Sequence, residues 1–204
     1  MKQIFVVFTF LFSCSCFAQF SAGVKAGAIL SNFRFENTSN EKNAFKPSFY
    51  LGGFAEYKIG KLSPEIELSY MQSGDNGRFI TDKSVGENQI SAESKYQLNL
   101  LSLIVTAKYY LLEKFNVKAG WYYGRILEVK NNLKNISNQD DNFETNLKDE
   151  WNKSDYGFTF GLNYDISTNL FLESNYFFGL TDLRGMENFE VKNRMIRLGI
   201  GYKF

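Results

Sequence analysis

Residues 154–165 read Ser154-Asp155-Tyr156-Gly157-Phe158-Thr159-Phe160-Gly161-Leu162-Asn163-Tyr164-Asp165. From Tyr156 to Tyr164 every second residue is aromatic or aliphatic, and the residues between are Gly, Thr and Asn. Successive side chains of a strand point to opposite faces, so the pattern predicts a strand with one apolar and one polar face. A helix would need apolar positions three and four apart. The length matches the roughly 9–11 residues that cross a bilayer as a tilted strand.

The same alternation recurs on both sides of this stretch. Phe20, Ala22, Val24, Ala26, Ala28 and Leu30 form one apolar series, and Phe49, Leu51, Gly53, Ala55 and Tyr57 a second. Leu62, Pro64, Ile66, Leu68 and Tyr70 follow, then Leu101, Leu103, Val105, Ala107 and Tyr109, then Phe115, Val117, Ala119, Trp121, Tyr123 and Leu127. Beyond 165 come Leu170, Leu172, Ser174, Tyr176, Phe178 and Leu180, and last Ile196, Leu198, Ile200, Tyr202 and Phe204. Short connections near 59–61, 112–114 and 166–169 alternate with long polar ones at 31–48, 73–94, 131–154 and 182–193. A soluble barrel or sandwich is the rival architecture, but its apolar face points inward and its strands need not end in aromatics. Alternating short and long loops with aromatics near strand ends fit a membrane barrel. The expected fold is therefore all-β, an eight-stranded antiparallel transmembrane β-barrel closed as an up-and-down meander. Closure is what leaves no unpaired backbone in lipid.

The first residues carry an address. Lys2 is followed by an apolar run from Ile4 to Phe12 broken only by Thr9, with small residues at Cys16 and Ala18. This predicts a secretion signal over 1–18 cleaved between Ala18 and Gln19, leaving the barrel as 19–204. A lipoprotein signal around Leu11-Phe12-Ser13-Cys14 is the rival, and Phe12 is too bulky for it. Cleavage removes Lys2 from the 23 basic residues and none of the 22 acidic ones, so the remaining charges balance. It also removes both cysteines, Cys14 and Cys16, and with them any disulfide framework. At the other end Phe204 follows Tyr202, Ile200 and Leu198 at alternate positions. That series reads as the terminal signal by which outer-membrane assembly machinery selects its clients. The expected location is the outer membrane, with both barrel termini periplasmic.

The opposite faces of the strands carry Lys25, Glu56, Glu65, Glu67, Lys108, Lys118, Glu173 and Arg197. On the same parity stand Lys58, Glu128, Lys130, Asp155, Asp165 and Lys203. Eight strands leave an interior that side chains just fill. Charges of one sign would suggest a selective pore, whereas the balance found here predicts ion pairs that neutralise one another. Arg197, near the closing seam with Lys25, is expected to pair with a lumen acid, Glu173 first. The chain has no histidine, which removes Ser-His-Asp and Cys-His chemistry and the commonest metal ligand. Glu65 and Glu67 are a conceivable carboxylate pair, but matched acids and bases are more often structural. Asp75-Asn76-Gly77, and Asp140-Asp141 with Glu144, lack the spacing of a calcium loop. No catalytic residue, cofactor or metal is expected, and near-zero net charge offers nucleic acid no basic footprint.

Several motifs together resemble the outer-membrane β-barrel domain of PorT-type proteins of Bacteroidota. They are Phe17-Ala18-Gln19, Gly23-Val24-Lys25-Ala26-Gly27, residues 98–110 leading to Ala119-Gly120, and residues 156–161. Tyr176-Phe177-Phe178-Gly179-Leu180-Thr181-Asp182 and residues 198–204 complete them. The family's polar residue and proline before the leucine run are absent, and Asn99 stands in that region. The resemblance implies a porin-like small barrel, some of whose relatives assist type IX secretion. Function is then expected in the long loops, as a non-enzymatic scaffold whose partners are outer-membrane lipid, the assembly machinery and a secretion or extracellular protein. A narrow porin is the alternative. Within loop 131–154, Phe143 and Trp151 are readable as partner anchors or as residues folded onto the barrel rim. N-terminal sequencing of the mature protein should begin at Gln19, and deleting Phe204 should lower assembled barrel without altering export.

Overall fold

The computed structural model describes residues 19–36, 43–81, 90–135, 142–146, 151–184 and 190–204. The expected signal, 1–18, lies outside them. Ten strands are present among these residues: β1 (Phe20–Glu36), β2 (Asn43–Ala44), β3 (Lys46–Tyr57), β4 (Leu62–Thr81) and β5 (Ile90–Tyr110) come first. β6 (Phe115–Asn135), β7 (Asn142–Asn146), β8 (Ser154–Asp165), β9 (Leu170–Gly179) and β10 (Glu190–Lys203) follow. Eight of them form the wall. β1, β3, β4, β5, β6, β8, β9 and β10 each pair antiparallel with the next, and β10 pairs back onto β1 from Gly23↔Lys203 to Glu36↔Glu190. The result is a closed barrel.

The apolar series of the sequence faces outward. Leu51, Ile66, Leu68, Trp121, Phe158, Phe160, Leu172, Leu198 and Ile200 are all exposed on the wall. In water such a surface would be an aggregation hazard; in a bilayer it is the lipid-facing band. The short connections lie at one end. Ile59 and Leu62 exchange backbone hydrogen bonds of 2.7 and 3.0 Å across Gly60-Lys61, and Gly60 takes the left-handed φ of 60° that such a turn requires. The first and last described residues join the same end: Lys58 N–H donates to the Gln19 carbonyl (2.9 Å) and Phe204 N–H to that of Ala22 (2.9 Å).

At the opposite end, here the far rim, the structure differs from the sequence reading. Much of the four long connections is strand, not loop. β4 and β5 stay paired out to Thr81↔Ile90, and β5 and β6 to Ala92↔Asn135, well beyond the apolar band. β2 adds to the outer part of β4 and β7 to that of β6. The physical reason is that lipid imposes the apolar outer face, and beyond the lipid that requirement ends. The alternation fades there while the backbone ladder continues. A second difference is local. The β5–β6 register shifts at Asn99/Leu100, where Leu127 is an extra residue on β6. A bulge reverses the facing of everything beyond it. Glu128 and Lys130, expected in the lumen, therefore stand on the outer face as a half-exposed pair 3.5 Å apart.

Inside, aromatic rings lie flat on the wall where glycines make room. A Cβ on Gly201 would stand 2.1 Å from the Phe171 ring, and one on Gly199 would stand 1.8 Å from the Tyr50 hydroxyl. Gly199→Ala should therefore displace Tyr50 and break its 2.8 Å hydrogen bond to Glu173. Overpacking of this kind costs about 1–3 kcal/mol. In a double-mutant cycle followed by heat-modifiable gel mobility, Gly199→Ala should cost clearly less in a Tyr50→Leu background than in wild type.

Candidate functional site

The lumen is filled in layers. Nearest the short turns, all eight wall strands contribute a charge to one connected set. Lys25 on β1 lies 2.7, 3.0 and 3.2 Å from Glu65, Glu67 and Glu173. Lys108 on β5 bridges Glu56 (2.7 Å) and Glu65 (2.5 Å), and Lys118 on β6 contacts Glu173 at 2.8 Å and Glu65 at 3.6 Å. Arg197 on β10 reaches Glu67 through both terminal nitrogens, at 2.6 and 3.0 Å, and Glu173 at 2.9 Å. Lys203 extends the chain to Glu56 and Asp165 at 3.1 and 3.4 Å. β8 joins the set only at its near end, through Asp165, and higher up supplies Gly161, whose missing side chain admits the Asn175 amide.

The sequence reading brought these eight residues to one face; the partner list is finer than it allowed. Arg197 does meet Glu173, yet its two-point contact is with Glu67, which it meets across the barrel. Parity shows which residues face inward but not which reach each other across a lumen. The aromatics Phe54 and Phe171, edge to face at 5.6 Å, sit within the set. The Lys25 ammonium lies 4.6 Å from the Phe54 ring and the Arg197 guanidinium 4.2 Å from the Tyr50 ring. Buried cations thus meet carboxylates on some sides and ring faces on others, which offsets the loss of water.

Two further layers close the lumen toward the far rim. Ile29, Tyr50, Met71, Ile104, Tyr122, Phe177 and Met195 form an apolar cluster directly above the charges. A small polar bridge follows: Tyr122 and Asn193 both donate to Asp155 Oδ2, at 3.0 and 2.9 Å, and Ser73 donates to Asn193 at 2.7 Å. Above it Phe33, Leu98, Leu100, Ile126, Val129, Trp151, Leu183 and Val191 make a second apolar cluster. Trp151, readable from sequence as an anchor or a rim residue, is folded inward here, 5.6 Å from the Phe33 ring and 5.7 Å from the Tyr96 ring. Arg184 covers both Tyr96 and Trp151, at 5.8 and 5.6 Å. Lys46, past the lipid band on β3, donates to the Tyr96 carbonyl at 2.9 Å; burial and the neighbouring Lys95 push its ammonium down to about 8. Phe33, Trp151, Leu183 and Val191 of this cluster lie in the long connections and Val129 beyond the β6 bulge, so alternation did not assemble them with Leu98, Leu100 and Ile126.

Glu65 and Glu67, the conceivable carboxylate pair, are each bound by cations on more than one side. Among the described residues no group of three or more acidic, His or Cys side chains is placed to hold a metal. Removing one member of a buried ion pair costs about 3–5 kcal/mol. Arg197→Ala should therefore lower clearly the temperature at which the folded barrel loses its compact gel mobility. Lys61→Ala, on an exposed turn, should leave it unchanged.

Comparison with known proteins places this geometry. Among solved structures, Neisserial surface protein A is similar at 12% identity with a TM-score of 0.51, covering 90% of this chain and 97% of that one. Ail, the attachment invasion locus protein of Yersinia pestis, shares 16% identity at a TM-score of 0.47, over 91% of this chain and 99% of that one. The outer membrane protease OmpT of Escherichia coli shares 10% at 0.49, over 91% and 96%. At 12% identity the likeness to Neisserial surface protein A is one of fold. No curated protein matches the chain in sequence. The model of the outer membrane protein beta-barrel domain, however, matches residues 17–185. The chain belongs to that family, and it is an outer-membrane β-barrel protein.

Proposed function

We propose that this barrel is a closed, non-enzymatic scaffold whose working surface is its far rim. In this reading the signal 1–18 is removed before Gln19, and Leu198, Ile200, Tyr202 and Phe204 form the assembly signal. Both termini then face the periplasm and the extended β4–β5–β6 wall stands outside the cell. The single observation that carries the proposal is the filled lumen: an ion-paired layer lies under two apolar layers of fully buried side chains. A rigid barrel with strands running beyond the bilayer is suited to presenting a surface to a partner. The PorT-type resemblance makes a component of a secretion apparatus the first partner to seek.

The test is electrical. Pure folded protein in planar bilayers should give no stable open-channel current at neutral pH and moderate salt. Long-lived, ohmic steps would establish the narrow porin instead. Double substitution of Trp151 and Phe33 to Ala opens the upper cluster alone, so the charged layer beneath should keep conductance negligible.

A further inference from the structure

Followed away from the short turns, the outward series of β6 runs Phe115, Val117, Ala119, Trp121, Tyr123 and then Arg125, with Leu127 exposed beyond it. That of β10 runs Tyr202, Ile200, Leu198, Ile196 and then Arg194. Arg125 lies ten residues up β6 from Phe115, and Arg194 nine residues up β10 from Lys203. At roughly 3.3 Å per residue and a tilt near 40°, both stand about 25 Å above the near end, the height of a lipid-facing band. Lys153, exposed, precedes β8 beside Arg125, and its carbonyl accepts from Ile126 N–H at 2.9 Å. Arg34, also exposed, stands opposite Lys192 on β1. On the other half of the wall the residues that end the outward series are Pro47, Gln72 and Asn99. The outward-facing cations at this height are thus gathered over β6, β8, β10 and β1, while Lys46 on β3 turns to the Tyr96 carbonyl.

Among the described residues, no carboxylate lies within ion-pair distance of Arg125, Lys153, Arg194 or Arg34. The acids nearby are engaged elsewhere: Glu190 pairs with Lys192 at 2.6 Å, Asp182 Oδ1 accepts from the backbone of Arg184 (3.1 Å) and Val191 (3.0 Å), and buried Asp155, which feels the Arg194 charge from beyond contact distance, accepts from Tyr122 and Asn193. Arg194 is also held in place. Its Nη1 donates to the carbonyls of Gly179 (2.5 Å) and Asn193 (2.8 Å), and its guanidinium stacks 3.7 Å from the Phe178 ring. A guanidinium fixed on a lipid-facing aromatic is set to meet an acceptor at the membrane boundary. Three strand spacings across and four residues along separate Arg125 from Arg194, roughly 20 Å, so the two ends hold separate phosphates.

We infer that this half-belt binds the phosphate groups of an anionic lipid, with Arg125 and Lys153 at one point and Arg194 at another. The acyl chains lie against Tyr156, Phe158 and Phe178, exposed on the strands between. Placing that lipid in the outer leaflet rests on the proposed orientation of the barrel; the binding itself does not.

Folded protein in detergent is mixed with bisphosphorylated lipid A or with the same lipid stripped of phosphate, and bound lipid is counted by native mass spectrometry. Wild type should retain the phosphorylated form selectively. Arg125→Gln/Arg194→Gln should bind it about tenfold more weakly, as loss of charge-assisted contacts implies, while keeping the compact gel mobility of the folded barrel. Lys61→Gln/Lys114→Gln, on turns at the near end, should bind like wild type. Equal retention of both lipids, undiminished binding by the arginine variant, or full displacement by excess inorganic phosphate would each overturn the inference. Orientation is tested separately, by labelling a cysteine placed at Lys153 or Lys61 on intact cells.

Discussion

Hydrocarbon offers no partner to a backbone N–H or C=O, and each one left open there costs several kcal/mol. The pairing of β1 with β10 answers that constraint, and the rest of the molecule depends on it. Once the first and last strands meet, the wall has no edge within the lipid band and the number of strands sets the lumen. Eight strands leave a space that must be filled by side chains. The composition of the inward face then decides whether the barrel is a channel or a plugged post.

Here the inward face is filled by charge, and charge without water must be matched. Four cations and four glutamates from seven strands form one set in which each carboxylate touches at least one cation. Such a set ties non-adjacent strands together, which backbone ladders cannot do. Glu67 on β4 and Arg197 on β10 meet across the lumen, and Glu173 on β9 collects Lys25, Lys118 and Arg197. Glycines on the same face admit Tyr50 and Phe171 among the charges, so the layer is packed as well as neutral. A post of this kind resists deformation, which suits the proposed role of its far rim.

The two ends of the wall divide the chemistry. The near end has short turns and both described termini, whereas the far end has strands that outrun the bilayer, an aromatic plug and an uneven belt of cations. On the outer face a basic residue stands two positions beyond Tyr123 on β6, ahead of Leu127, and two positions beyond Ile196 on β10. The boundary between lipid tails and headgroups is abrupt, and basic residues that stand there are read by the phosphate layer.

Period-two alternation determined the number of wall strands, the outward face of each and the inward placement of Lys25, Glu65, Glu67, Glu173 and Arg197. Burial in lipid imposes that periodicity residue by residue, so it is written locally. The extent of β4, β5 and β6 was not legible, since beyond the lipid nothing forces their two faces to differ. Nor was the β6 bulge at Leu127, which moved Glu128 and Lys130 to the outer face: an inserted residue leaves composition unchanged and shows only against a partner strand. Which acid met which base, and the inward fold of Trp151 onto Phe33 and Tyr96, depended on strands distant in sequence. Contacts across a lumen follow from barrel diameter and register, and those exist only once the sheet has closed.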